Sequence, residues 1–473
     1  MNLPEDFVSY TRQFMGDDLY GLVANGLNNE PSPTSVRINP FKAKGRDVHG
    51  SLAEAAVPWC EHTGRYLNTR PNFTFDPLLH AGVYYVQEAA SMFVDYVVRS
   101  LISQPVCMLD LCAAPGGKST ALRAALPEGS LLVSNEPMRP RAQILSENMQ
   151  KFGHEDVIVT NNYPKDFRKS SLLFDAILAD VPCSGEGMFR KDDGARAEWS
   201  KQNVAGCWQL QRDIISDIWQ CLKPGGLLIY STCTFNAHED EDNVAWIAQE
   251  LGADIITLPV EQHWNITPAL CGNATAYRFL PGVSKSEGLF LAILRKHGTT
   301  PTASGADTRT KGKAAKGSKS QKKMPAIRIP LRNAEQYSLR QLADTMLAIP
   351  SRWANIYDMA ESKLKIMHAG VAIGKEKGKD LIPSQSLALA RQLDTTSFPC
   401  VDVSYTDAIN YLRKEAVTLP ADTPRGIVLL TYKGSPLGFE KNIGNRANNL
   451  YPQEWRIKST HVPTEAEHDN IIE

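Results

Sequence analysis

The chain changes its hydrophobic rhythm several times along its length. From Cys107 to Lys296, short apolar runs alternate with longer stretches in which apolar residues recur every three or four positions. The short runs "VCMLDLC", "SLLVSN", "DVIVTN", "FDAILADV", "GGLLIYSTC" and "GLFLAILRK" predict strands, and "STALRAAL", "RAQILSENMQKFG" and "CWQLQRDIISDIWQCLKPGG" predict helices between them. Gly153 closes the second helix, and Pro224 with Gly225 are expected to stop the third. Strand–helix alternation of this kind implies an α/β fold, a mostly parallel sheet with helices on both faces. Earlier, "SVRINP" predicts a strand closed by proline, and "AGVYYVQEAASMFVDYVV" a strand running into an amphipathic helix. Later, "KIMHAGVAIG", "RGIVLLTYKGSPLGF" and "EWRIKS" have strand character with glycine turns between them.

Between these regions, "HGTTPTASGADTRTKGKAAKGSKSQKK" (297–323) has no apolar period and carries six lysines from Lys311 to Lys323. It is expected to be a solvated linker, or a basic tether that also touches RNA phosphates. The chain of 473 residues divides on this reading into four parts. Residues 1–100 form an N-terminal extension, 101–296 a catalytic domain, 297–324 the linker and 325–473 a β-rich C-terminal unit.

Composition narrows the classes. Apolar residues make up 42 %, enough for packed cores, and the formal net charge of −1 requires any nucleic-acid contact to come from local basic patches. Nine cysteines without a CxxC pair read as reduced thiols rather than a disulfide framework or zinc site. The acidic, mixed start "MNLPEDFVSYTRQF" lacks the basic and apolar regions of a signal peptide, and no stretch approaches a membrane span. A cytoplasmic, metal-free monomer is expected. The acidic run "HEDEDN" is expected to open a helix capped by Asn236 rather than to bind metal.

The segment "DLCAAPGGKST" (Asp110–Thr120) ends like a phosphate-binding P-loop but is not one. Cys112 stands where the first glycine of that motif belongs, and Pro115 lacks an N–H to offer phosphate. A strand ending in an acid, a turn of small residues and then a helix form the first βα turn of a nucleotide-binding sheet. Glu136, after the second strand, is placed to hold ribose hydroxyls. These positions fit S-adenosylmethionine, although a structural βα turn has a similar pattern.

"LADVPCSGEGMFRKD" and "LLIYSTCTFN" place Cys183 and Cys233 just after strands, in polar, glycine-rich turns at the sheet edge where ligands bind. Two thiols and the carboxylate of Asp180 beside a methyl donor point to chemistry at carbon 5 of cytosine. That carbon is a poor nucleophile until a thiolate adds at carbon 6, and a base must later remove the carbon-5 proton. Arg190 and Lys191 are either a surface turn or phosphate contacts. Trp199, Trp208 and Trp219 read as core or interface residues, with base stacking as the alternative.

Taken together, "DLCAAPGGKST", "DVPCSGEGMFRKD" and "YSTCTFN" resemble the Nol/Nop/Sun-type RNA cytosine-C5 methyltransferases, and most of all the bacterial ribosomal RNA enzymes of the RsmF kind. The resemblance implies a Rossmann-like S-adenosylmethionine methyltransferase sheet, an N-terminal α+β extension and a C-terminal PUA-like domain. It further implies that Cys233 is the nucleophile, that Cys183 assists release, and that Asp180 contacts both cytosine and the methyl donor. Cys112, Ala113, Ala114, Pro115, Gly116, Gly117 and Lys118 would wrap the methionine part of the cofactor, Glu136 its ribose, and Arg141 matches a family arginine. Where many relatives carry an adenine-contacting aspartate, this chain has "VTNNYPKDF", so Asn162 is the expected replacement. The implied partner is ribosomal RNA or the small ribosomal subunit, with Lys433, Lys441, Arg446, Arg456 and Lys458 available for RNA on the C-terminal unit. A rival reading is an RNA-binding ribosome-assembly factor without catalysis, which has no need of Asp180, Cys183 and Cys233 together.

Overall fold

The computed structural model describes residues 3–272, 275–299, 328–377, 380–459 and 462–473. Its centre is a sheet of nine strands among the described residues. In chain order these are β1 (Cys107–Asp110), β2 (Leu131–Asn135), β3 (Val157–Thr160), β4 (Phe174–Asp180), β5 (Leu222–Thr232), β6 (Ala253–Ile256), β7 (Tyr277–Phe279), β8 (Leu289–Lys296) and β9 (Ile366–Ala369). Their spatial order is β6-β8-β5-β4-β1-β2-β3-β9, with β7 paired to β8. The five strands from β3 to β5 run parallel, and β8, β6 and β9 run antiparallel to their neighbours.

The apolar runs are nearly continuous because both faces of the sheet are covered. Leu109, Val133 and Ile177 pack into one core, and Met108, Leu132 and Leu178 into another on the opposite face. The covering helices include α1 (Phe93–Leu101), α2 (Gly117–Ala125), α3 (Arg139–Phe152), α4 (Lys201–Ile218) and α5 (Glu241–Glu250). Strand order reverses between β1 and β4, which opens a crevice at their carboxyl ends, the ligand position in sheets of this type.

Three details differ from the sequence reading. Helix α4 ends at Ile218, and Pro224 and Gly225 lie inside β5 rather than stopping the helix. The turn comes earlier because Trp219 and Cys221 are buried and Lys296 Nζ donates to the carbonyls of Trp219 and Leu222, both at 2.8 Å. "EWRIKS" forms no strand: Gln453–Trp455 is a single 3-10 turn after Pro452, and Ile457 N–H donates to Leu412 O. The helix expected at "HEDEDN" begins only at Glu241, and Asn236 caps a preceding turn by accepting Glu239 N–H at 2.9 Å.

The N-terminal region carries a helix (Glu5–Asn28) kinked at Gly16, where φ is 76°, and a four-stranded sheet made of Ala53–Ala56, Gly64–Leu67, Thr34–Ile38 and Tyr84–Val86. Beyond Lys296 the central sheet continues, because β9 pairs antiparallel with β3. Residues flanking β9 build a second four-stranded sheet (Tyr337–Leu342, Thr345–Pro350, Val371–Lys377, Asp380–Pro383). A third sheet holds Cys400–Asp402, Gly426–Tyr432, Ser435–Asn442 and Ala447–Asn449. It packs against the N-terminal sheet through one apolar cluster that includes Val36, Ile38, Tyr405, Ile409 and Leu430. Most of the expected linker, including its lysines, lies outside the described residues. No described helix is long and apolar enough to cross a membrane.

Candidate active site

The turn after β1 is built from backbone. Ala113 N–H donates to Asn135 O at 2.8 Å, which fastens the turn to β2. Gly116 adopts φ 116°, which a side chain would strain, and thereby delivers the chain into α2 at Gly117. Asn148 and Arg141, both on α3, donate to the carbonyls of Pro115 (2.8 Å) and Ala114 (3.0 Å). Arg141 therefore braces the loop from outside, and its Nη1 also stands 3.7 Å from Glu136.

Glu136 is buried at the end of β2, where one oxygen accepts Met138 N–H at 2.9 Å. Beneath it, Asp110 is fully buried and accepts Ser119 Oγ at 2.6 Å, while its second oxygen has no hydrogen-bond partner among the described residues. Burial pushes the Asp110 carboxyl up to about 7, against the hydrogen bond from Ser119. Burial, reinforced by the charges of Asp180 and Asp110, pushes the Cys112 thiol well above the ordinary range. A left-handed glycine turn, a helix N-terminus, an acid after the second strand and an unsatisfied buried carboxylate oxygen together fit a nucleoside carrying an amino-acid tail.

The Asn162 side-chain amide pairs with the Lys365 backbone, accepting N–H at 3.0 Å and donating to O at 3.2 Å, while Lys365 Nζ reaches Asn161 Oδ1 at 3.0 Å. Both asparagines thus dock β9 onto the sheet edge, and the Asn162 side-chain amide is engaged there with the Lys365 backbone.

At the ends of β4 and β5, Cys183 Sγ and Cys233 Sγ stand 3.1 Å apart, and Cys233 N–H donates to Cys183 Sγ at 3.3 Å. Both thiols are free. The hydrogen bond with Cys233, then burial and the charges of Cys233 and Glu239, hold the Cys183 thiol well above the ordinary cysteine range. Asp180 accepts Lys118 Nζ at 2.9 Å on one oxygen and Ser231 Oγ at 2.7 Å on the other. Burial works against the Lys118 ammonium, but the charge and hydrogen bond of Asp180 outweigh it and leave Lys118 above the usual lysine range. Lys118 thus turns from the glycine turn toward Asp180, linking the two halves of the crevice.

Below the cysteines lies a buried polar layer that the sequence reading missed. Glu239 accepts Ser184 N–H (3.0 Å), Gln211 Nε2 (2.7 Å) and Asn236 Nδ2 (2.8 Å), and Glu186 accepts Phe235 N–H (2.6 Å) and Trp199 Nε1 (2.9 Å). Arg278, fully buried, pairs with Asp240 at 3.0 Å and with Glu241. The signal was present in "SGEG" and "NAHEDEDN", acids set close after each cysteine, but acidity alone does not distinguish a surface from a buried layer. Arg190 is also buried rather than offered to phosphate, paired with Glu287 at 2.8 Å and with the Ser286 carbonyl. Trp199 and Trp219 are core residues, whereas Trp208 is half-buried under the Arg212 guanidinium, 4.2 Å from the ring centroid.

This sheet order, with a small-residue turn after β1 and an acid after β2, defines the Rossmann-like, S-adenosylmethionine-dependent methyltransferases. Residues 103–295 match the family model of the 16S rRNA methyltransferase RsmB/F, residues 3–89 that of the N-terminal domain of 16S rRNA methyltransferase RsmF, and residues 398–457 that of the methyltransferase RsmF PUA domain. The chain belongs to this RsmB/F family, of the RsmF kind. It is 29 % identical over 469 residues to the ribosomal RNA small subunit methyltransferase F of Aliivibrio fischeri (strain MJ11), covering 96 % of this chain and 97 % of that one. With its counterpart from Aeromonas salmonicida (strain A449) it shares 29 % identity over 481 residues, at the same coverage. Among solved structures, the NSun6 of Pyrococcus horikoshii, crystallised with the S-adenosylmethionine analogue SFG, superposes with a TM-score of 0.52 at 17 % identity, covering 63 % of this chain and 99 % of that one. A methyltransferase homolog from the same organism gives 0.51 at 24 % identity, covering 61 % and 94 %. Both likenesses concern the fold. The PUA model coincides with the third sheet alone, so the second sheet and β9 stand between the catalytic and PUA matches.

Proposed function

We propose that this protein methylates carbon 5 of a cytosine in ribosomal RNA of the small subunit, with Cys233 as nucleophile and Cys183 as the group that completes release. The observation that carries the reading is the 3.1 Å approach of two free thiols beside the Asp180–Lys118 pair, at the crevice between β1 and β4. The relatives' names supply the RNA class, and the basic residues of the C-terminal unit are compatible with it.

The turn Cys112–Lys118 and Glu136 would hold S-adenosylmethionine, which when bound would supply an electrophilic methyl group. Asp180 faces the crevice with its charge balanced by Lys118, so that it can receive the cytosine amino edge and hold the ring. The Cys233 thiolate adds to carbon 6, forming a C–S bond and turning carbon 5 into an enamine-type nucleophile. Once Cys233 is bonded to carbon, its charge and its hydrogen bond no longer hold the proton on Cys183. Loss of that proton to solvent, against the burial and the Glu239 charge that remain, leaves Cys183 as the thiolate that acts as base. After methylation, Cys183 takes the carbon-5 proton, the C–S bond breaks and Cys233 departs as thiolate, which restores the starting pair. One proton is released per methyl group added.

The position and identity of the product test this reading. Small-subunit RNA from cells lacking the protein is incubated with the purified enzyme and S-adenosylmethionine, then digested to nucleosides and mapped by bisulfite sequencing. New 5-methylcytidine at a discrete position is expected. Methyl groups recovered on any other atom or base would overturn the cytosine-C5 assignment.

A further inference from the structure

We propose that Glu186 and Glu239 form a crossed clasp that sets the separation of the two thiols, each carboxylate following one cysteine in the chain and holding the backbone near the other. The inference rests on the cysteine roles given above and assigns positioning residues to them.

Glu186 follows Cys183 on the β4 loop, yet its oxygen accepts the N–H of Phe235, just past Cys233, at 2.6 Å. Glu239 follows Cys233, yet accepts the N–H of Ser184, the neighbour of Cys183, at 3.0 Å. The hold on Cys183 has a second arm. Gln211 Nε2 donates both to Glu239 at 2.7 Å and to Pro182 O at 2.9 Å, so the backbone on either side of Cys183 is tied to Glu239. Asn236 lies between the two acids, its Nδ2 at 2.8 Å from Glu239 and 3.1 Å from Glu186. Gly187 N–H donates to Cys233 O at 2.8 Å, and a Cβ on Gly187 would stand only 3.0 Å from that oxygen, so the loops meet backbone to backbone.

Both acids are fully buried. Two carboxylates in one buried layer are costly, and apolar packing would fill the same space more cheaply. Burial and the Glu186 charge push the Glu239 carboxyl upward, against the hydrogen bonds from Ser184 and Asn236. What apolar packing could not do is accept a backbone N–H from the opposite loop, which fixes two loops against each other with directional bonds. The crossing gives a consequence that simple support would not. Loosening Glu239 displaces Cys183 and the release step, whereas loosening Glu186 displaces Cys233 and the addition step.

The test uses the full-length enzyme, S-adenosylmethionine and small-subunit ribosomal RNA, with the covalent enzyme–RNA adduct read on denaturing gels against time and methyl transfer counted in parallel. Glu239→Gln and Glu186→Gln keep shape and change charge and bonding, and Cys183→Ala is the reference. Since small displacements of reacting groups cost about 10–100-fold in rate, Glu239→Gln is expected to slow release by that factor and accumulate adduct, as Cys183→Ala does. Glu186→Gln is expected to slow adduct formation by a similar factor with no accumulation. Equal losses in both variants, with the adduct fraction unchanged, overturn the clasp and leave the cysteine roles standing. Absence of adduct in Cys183→Ala while wild type makes 5-methylcytidine overturns the cysteine roles themselves. Should either glutamate variant fail to fold, Gln211→Leu decides: a raised adduct fraction supports the clasp, and an unchanged one overturns it.

Discussion

Buried charge is handled in two ways in this molecule. Around Cys183 and Cys233, Glu186, Glu239, Asp240, Glu241 and Arg278 are all buried, and each is bound to named donors or to an opposite charge. In the third sheet, Glu440 on the strand Ser435–Asn442 is equally buried, but neither carboxylate oxygen has a hydrogen-bond partner among the described residues. Burial, with a smaller contribution from Asp407, pushes that carboxyl up to about 7. A buried charge must be paired or neutralised by protonation. The layer around the cysteines gives each of its acids a donor or a cation and uses the directional bonds to place two thiols. Glu440 in the PUA-matching sheet, like Asp110 at the end of β1, is instead buried with an oxygen lacking a donor, and burial moves it toward neutrality.

Four substitutions probe this contrast, in order of decreasing effect. Cys233→Ala removes the nucleophile, and methyl transfer should fall by about four orders of magnitude or more, since nucleophile deletions cost about that much elsewhere. Radiolabelled methyl incorporation measures it, and retention of a tenth of the activity would sink the nucleophile assignment. Arg278→Met leaves Asp240 and Glu241 buried without their cation, and breaking such a pair costs about 3–5 kcal/mol. Urea unfolding measures the loss, and a change below about 1 kcal/mol would mean that the pairing is dispensable. Asp180→Asn keeps the side chain's size but removes the charge that holds Lys118, and kcat should fall by about 10²–10³-fold with the melting temperature little changed.

Glu440→Gln is the smallest and the most informative about the other end. The folded carboxyl titrates at about 7 against an ordinary 4.5, so wild-type stability from this group is intact below about pH 4.5 and is lost as pH rises through 7. The glutamine variant should therefore be more stable than wild type at pH 8, by about 1–3 kcal/mol, with the advantage vanishing toward pH 4.5. Thermal melts across that range check the sign, and a variant less stable at pH 8 would show that the carboxylate has a stabilising partner after all.

Six strands of the central sheet, the turn after β1 and the two cysteines at strand ends were legible because each depends on a local pattern, whereas the short edge strands β6 and β7 were not predicted. Cys107–Asp110 and Leu289–Lys296 announce themselves as apolar runs wherever they fall in the sheet. The buried polar layer was not legible in the same way. Arg278 meets Glu241 and Asp240 across a long stretch of chain, and nothing in "YRFL" or "HEDEDN" says that these charges face inward. The same limit explains Arg190, whose partner Glu287 comes from the far end of the catalytic region. Strand β9 was read as strand-like, but its pairing with β3 depends on Asn161 and Asn162 meeting Lys365, a docking contact that periodicity does not encode. For that reason the docking role of Asn162 was not legible in the sequence.

The central claim is the division of labour between the two thiols, and trapping the covalent intermediate tests it most directly. Wild type, Cys183→Ala and the double variant Cys183→Ala/Cys233→Ala are incubated with small-subunit ribosomal RNA and S-adenosylmethionine and run on a denaturing gel. A slow-migrating protein–RNA band that is strong in Cys183→Ala and absent from the double variant is the predicted result. A band that persists without Cys233, or that requires Cys183 instead, would contradict the account.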